Sequence, residues 1–159
     1  MKASFNARRR ARVLAVQALY QVDVAGAAPD QALATALRLS GELEGESGKG
    51  AADAAAQEVD VRYAEDLVRY VTEEKARLDA LIAAASANWR LDRMARLDAQ
   101  ILRVGTAELV RGETPTPVVI DEAIEIAREY SGDESRAFVN GVLDGVARAL
   151  AAERAGRAE

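Results

Sequence analysis

Between Val61 and Ile82 the apolar residues Val61, Ala64, Leu67, Val68, Val71, Leu78, Leu81 and Ile82 recur at spacings of three, four and seven. An α-helix turns once in about 3.6 residues, so this spacing gathers them on one face, whereas a strand of period two would divide them between both. The pattern predicts one long helix from Asp60 to near Ser86. Upstream, Val13, Val16, Tyr20 and Val24 form one stripe and Ala15, Ala18, Leu19 and Val22 another, as expected of a helix over about 8–24 that is covered on two sides. Gly26 ends it. Pro29 and Asp30 open a shorter helix with Leu33, Ala36 and Leu37 facing inward and Gly41 as its stop, and the two helices should pair as an antiparallel hairpin.

Residues 41–57 hold four glycines and no large apolar residue after Leu43, so they bury too little to offset their ordering and read as a mobile linker. A second half begins at Asn88-Trp89-Arg90-Leu91, with Trp89 as an apolar anchor, and Leu91, Met94, Leu97, Ile101, Leu102 and Leu109 carry helical spacing to Gly112. Thr116 is the expected N-cap of the next helix with Pro117 at its first position, and Val119, Ile120, Ala123, Ile124, Ala127 and Tyr130 are its inward stripe. Ser131-Gly132-Asp133 turns the chain into a last helix that ends near Leu150. That helix packs Phe138, Val139, Val142, Leu143 and Val146, with Gly141 and Gly145 open to close helix contact and a frayed tail after Ala152.

No alternating pattern and no repeat of 20 to 50 residues interrupts this. The expected fold is therefore all-α: about seven helices in two packed helical bundles, over about 13–85 and 86–152, within one domain of 159 residues whose first twelve form a basic arm. An alanine-rich chain with only 4% aromatic residues fits helices that meet through small side chains.

Several function classes are weakened by what the chain lacks. It has neither cysteine nor histidine, which removes thiol chemistry and the commonest acid–base and metal-ligating groups. No phosphate-cradling glycine loop follows a strand. Carboxylate pairs such as Glu65-Asp66, Glu73-Glu74 and Asp121-Glu122 with Glu125 fall on predicted polar faces beside Arg69, Arg77 and Arg128, where ion pairing one turn apart accounts for them better than acid–base catalysis does. Neither an enzyme nor a cofactor is expected. No apolar run approaches the ~20 residues that span a bilayer, and no hydrophobic signal core follows the basic N-terminus, so no membrane partner and a cytoplasmic location are expected.

Charge is distributed unevenly. Residues 1–12 contain Lys2, Arg8, Arg9, Arg10 and Arg12 and no acid, while the chain as a whole has 21 basic and 26 acidic residues; outside the arm, acids exceed bases by ten. A basic arm on an acidic body suggests a localised polyanion site. Four guanidinium groups near the start of a helix can fork onto phosphates or stack on unpaired bases, and positive charge there opposes the helix macrodipole, so helix stability does not account for it. The competing reading is a solvated charge run on a protein-only interaction module. Tyr20, Trp89, Phe138 and Asn140 read as packing and capping residues on their chemistry alone.

Ala7-Arg8-Arg9-Arg10-Ala11-Arg12 followed by Ala15-Val16-Gln17-Ala18-Leu19-Tyr20 resembles the N-terminal signature of the NusB family. Asp98-Ala99-Gln100-Ile101-Leu102-Arg103 with Glu108-Leu109, then Val119-Ile120-Asp121-Glu122-Ala123-Ile124-Glu125, then Phe138-Val139-Asn140-Gly141-Val142-Leu143-Asp144 resemble it in order and spacing. The likeness covers the chain except the glycine-rich 41–57. It implies a transcription antitermination factor that pairs with NusE, a small-subunit ribosomal protein, binds boxA-type single-stranded RNA, and joins elongating RNA polymerase with other Nus factors, chiefly on ribosomal RNA operons. Under the resemblance Arg8, Arg9 and Arg10 match the RNA-contacting arginine motif, with Lys2 and Arg12 in the same basic segment, and Tyr20 and Asp98 match positions linked to RNA and partner engagement. Glu134 falls where an acidic residue tunes RNA affinity, Phe138 lies near the RNA path, and Ala137 stands where a basic residue can occur. A similar domain is fused to ribosomal RNA cytosine methyltransferases, but no αβ cofactor domain or catalytic cysteine follows in these 159 residues. Monomer and homodimer are both left open.

Overall fold

Seven helices account for nearly all of the described residues, 2–45, 52–86 and 94–158 of a computed structural model. They are α1 (Lys2–Ala25), α2 (Pro29–Gly45), α3 (Ala52–Glu73), α4 (Lys75–Ala85), α5 (Arg96–Arg111), α6 (Thr116–Tyr130) and α7 (Asp133–Ala158), and no strand occurs among the described residues. The all-α expectation holds. The chain divides into two compact units, residues 1–72 and 73–159.

In the first unit α1 packs on α2. The main buried stripe of α1 is Ala7, Ala11, Leu14, Ala15, Ala18 and Leu19, which reaches back into the basic segment, and Val16 is buried on another side of the helix. The arm is therefore not an appendage but the first turns of the helix. Val24, expected inside, is exposed next to the end of α1 at Ala25, where Gly26 takes a left-handed φ of 67° and its N–H bonds to the Val22 carbonyl at 3.1 Å. Helix α2 buries Ala32, Leu33 and Ala36 but runs through Gly41 to Gly45. One interior glycine costs a helix about 1 kcal/mol, which neighbouring Leu39, Glu42, Leu43 and Glu44 can carry. The expected linker at 41–57 is thus largely helical, since 41–45 finish α2 and the alanine-rich 52–57 begin α3; residues 46–51 lie outside the described ones.

The single helix expected over 60–86 is two. It breaks at Glu74 (φ −105°, ψ 18°), and the Thr72 hydroxyl donates to the Val68 carbonyl at 2.7 Å, a back-bond that bends helices. Thereafter α4 packs with α5 and α7, so the boundary between the units lies at Thr72–Glu73 rather than near residue 85.

In the second unit α5 is buried along its length from Asp98 to Leu109 and packs on α4, α6 and α7. It starts at Arg96; the expected start at 88–91, with Trp89, lies outside the described residues. It stops at Gly112 in the left-handed region, and Arg154 of α7 donates to the freed Leu109 carbonyl at 3.1 Å. Helix α6 begins one residue earlier than expected. Pro115 is the cap, its carbonyl accepting from Val118 and Val119, and no side chain caps the end. Its inward face includes Glu122 and Ile126, whereas Tyr130 is 46% exposed. Glu122 therefore leaves the polar face assigned to it. Of the two candidate contact glycines on α7, a Cβ on Gly145 would meet Ala85 at 3.1 Å, while Gly141 faces open space. The tail expected to fray after Ala152 is helical to Ala158.

Candidate nucleic-acid interface

Helix geometry decides how the arginines are presented. Arg8 and Arg12 are four residues apart and share one side of α1; Arg9 and Arg10 are offset from Arg8 by about 100° and 200° around the axis. Arg8 is exposed, Arg9 and Arg10 are half-buried, and Arg12 is only 3% exposed. The run therefore does not form one flat positive patch. It divides into the Arg8–Arg12 side, a side on which Arg9 lines up with Val13, Val16 and half-buried Tyr20, and a side on which Arg10 lines up with exposed Gln17 and Gln21.

Arg8 and Arg12 both point to α3. Their Cζ atoms lie over the Tyr63 ring, 5.2 and 5.6 Å from its centroid. A ring face attracts a cation at up to about 6 Å, and a buried guanidinium needs such compensation most. Burial removes Arg12 from the surface on which the sequence places it. Because α1 starts at Lys2, the arginines also stand beyond the first turn, where the macrodipole has largely decayed, so the dipole conflict inferred from the sequence does not arise at their positions. The Lys2 side chain lies outside the described ones.

The remaining expected site residues belong to the second unit. Asp98, in the first turn of α5, is 6% exposed and accepts hydrogen bonds from Ser131 Oγ at 2.6 Å and Ser135 Oγ at 2.9 Å. Its carboxylate thus ties α5 to the turn between α6 and α7. Glu134 is exposed beside Ser135 in the first turn of α7, and Phe138 is half-buried one turn further on. Two of the expected surface ion pairs are present: Asp66 with Arg69 at 3.6 Å and Glu125 with Arg128 at 2.8 Å. The hydrogen bond and the charge of Glu125 push the pKa of Arg128 up. No cluster of three or more potential metal ligands, and no helix long and apolar enough to cross a membrane, occurs among the described residues.

Residues 9–148 match the model of the NusB family. The chain belongs to that family. The transcription antitermination protein NusB of Anaeromyxobacter dehalogenans is 44% identical over 149 residues, covering 94% of this chain and 96% of the relative. In three dimensions the chain is similar to T. maritima NusB, with a TM-score of 0.73 at 31% identity over 89% of this chain and 90% of that one. It also shares its fold, at 24% identity and a TM-score of 0.71, with a chain in a solved structure of antitermination factors NusB and NusE in complex with dsRNA, covering 91% of this chain and 98% of that one. The relatives are named as antitermination proteins, so the NusB assignment identifies a non-enzymatic factor.

Within this NusB fold, Tyr63 is the residue that sequence reading passed over. It sits beside Ala64 of the inward stripe and reads as a flank. An aromatic residue in so aromatic-poor a chain was the available signal, but nothing local says that two arginines more than fifty positions upstream lie over it.

Proposed function

We propose that the chain is the RNA-binding member of an antitermination complex: together with NusE it binds a boxA-type single-stranded RNA and joins elongating RNA polymerase with other Nus factors in the cytoplasm, chiefly on ribosomal RNA operons. The observation that carries this is the arginine-bearing face of α1, with Arg8 exposed over Tyr63 in a protein whose remaining residues are net acidic. Arg8, Arg9 and Arg10, with Lys2, supply phosphate forks and stacking surfaces, and Tyr20 extends the Arg9 side of the helix. Arg12 acts from below, by anchoring. In the second unit, Phe138 contributes an apolar surface to RNA binding and Glu134 tunes the affinity by its charge. Asp98 acts on partner docking indirectly, through the turn that its two serine bonds hold.

An acidic body repels phosphate, so the RNA affinity of the chain alone should be modest and should rise when a basic ribosomal protein extends the positive surface. Titrating a labelled boxA oligonucleotide at several salt concentrations, with and without NusE, tests this. Equal affinity in the two series refutes the cooperation. Absence of RNA binding in both refutes the function.

A further inference from the structure

Arg8 and Arg12 reach the same aromatic ring but differ in what else they can do. Both guanidinium carbons lie within cation–π range of Tyr63, yet Arg12 is buried and Arg8 is open to solvent. Two like charges one helical turn apart repel, and the electron-rich face that α3 supplies offsets this for both. An arginine side chain also has many rotamers, and a ligand that binds it must restrict them. An arginine already held over a ring has lost part of that freedom beforehand.

We propose that Tyr63 is a positioning residue for RNA: its ring, with Arg12 as the buried anchor, holds the Arg8 guanidinium in place at the surface of α1 and α3, ready for a single-stranded RNA to meet its remaining N–H donors. This rests on reading the α1 face as the RNA site. Tyr63 acts through Arg8, not by touching a base. Its contribution therefore exists only while Arg8 is present, which separates it from a tyrosine that stacks on RNA directly and from one that merely packs.

The test uses the full chain with NusE and a fluorescein-labelled single-stranded boxA RNA. Tyr63→Leu keeps an apolar side chain but removes the ring, and should weaken binding about two- to five-fold, the worth of one exposed cation–π contact. Tyr63→Phe keeps the ring and should bind as wild type. In an Arg8→Ala background Tyr63→Leu should cost nothing further. In the free wild-type protein the Arg8 Cδ protons should show an upfield ring-current shift in NMR, and this reading needs no variant to fold. Unchanged binding by Tyr63→Leu, an equal loss in Tyr63→Phe, a further loss on top of Arg8→Ala, or absence of the ring-current shift each overturns the proposal. Failure of the wild-type protein to bind the RNA instead overturns the function on which it rests, and the proposal with it.

Discussion

Arg103 of α5 grips Asp79 of α4 through two parallel hydrogen bonds, Nε to Oδ1 at 2.7 Å and Nη2 to Oδ2 at 3.2 Å, and its Nη1 donates to Gln100 Oε1 at 3.2 Å. Helix α4 is the shortest of the seven, and this fork fixes it against the buried helix of its unit. Removing one partner leaves the other charged and poorly solvated. Breaking a fully buried pair costs about 3–5 kcal/mol, but Asp79 retains 25% side-chain exposure and water can replace part of the loss. Asp79→Ala should therefore lower stability by roughly 2 kcal/mol in urea unfolding. A change below about 0.5 kcal/mol would place the pair with ordinary surface pairs.

Two glycines one turn apart on α7 should respond oppositely to alanine. Gly141 faces open space, so Gly141→Ala should raise stability by about 0.5–1 kcal/mol through helix propensity alone. At Gly145 the new methyl meets the Ala85 Cβ at 3.1 Å, and a Cβ cannot rotate away, so α4 and α7 must separate. Gly145→Ala should cost roughly 1–3 kcal/mol. Melting temperatures that move the same way in both variants would contradict this packing.

Thr106 is fully buried in α5, and its hydroxyl has no hydrogen-bond partner among the described residues. Valine has nearly the same shape without the polar atom. Thr106→Val should raise stability by about 1 kcal/mol, because an unsatisfied buried polar group carries its desolvation cost unrelieved. A destabilised variant would indicate that the hydroxyl is satisfied in solution.

Replacing Arg8, Arg9 and Arg10 together by alanine should weaken RNA binding strongly and shift melting little, since none of the three is fully buried. For a single strand the log–log salt slope should become shallower by roughly 0.7 per lost phosphate contact, or about 2 for three. Arg12 is left in place because it is part of the interior of the first unit. An unchanged affinity and salt slope would remove α1 as the RNA site, whatever the family.

Tyr130 should ionise at higher pH than an ordinary tyrosine. Partial desolvation of its ring where it meets the protein is the main cause, although the residue stays largely exposed, and the neighbouring charge of Glu129 adds to it. Since the folded state favours the neutral phenol, its contribution to stability is complete below the ordinary tyrosine value of 10.0 and is lost as pH rises through the higher folded value. Tyr130→Phe should thus be more stable relative to wild type at strongly alkaline pH than at neutral pH, as read from melting curves.

Helix positions were legible in the chain because helical periodicity is written by residues within four positions of one another. The stripe from Val61 to Ile82, the stops at Gly26 and Gly112 and the Pro115-Thr116-Pro117 start are all local signals, and together with the arginine run they sufficed for an all-α fold and a basic α1. Which side of a helix is covered, and by what, depends on partners far away in sequence. Burial of Arg12, exposure of Tyr130, the division of the long stripe at Glu74, the serines that enclose Asp98 and the approach of Tyr63 to Arg8 all arise where one helix meets another. Asp98 shows the difference most clearly. As a sequence position it is an acid in the first turn of a helix, open to any partner; only packing brings Ser131 and Ser135, more than thirty residues away, to claim both of its oxygens.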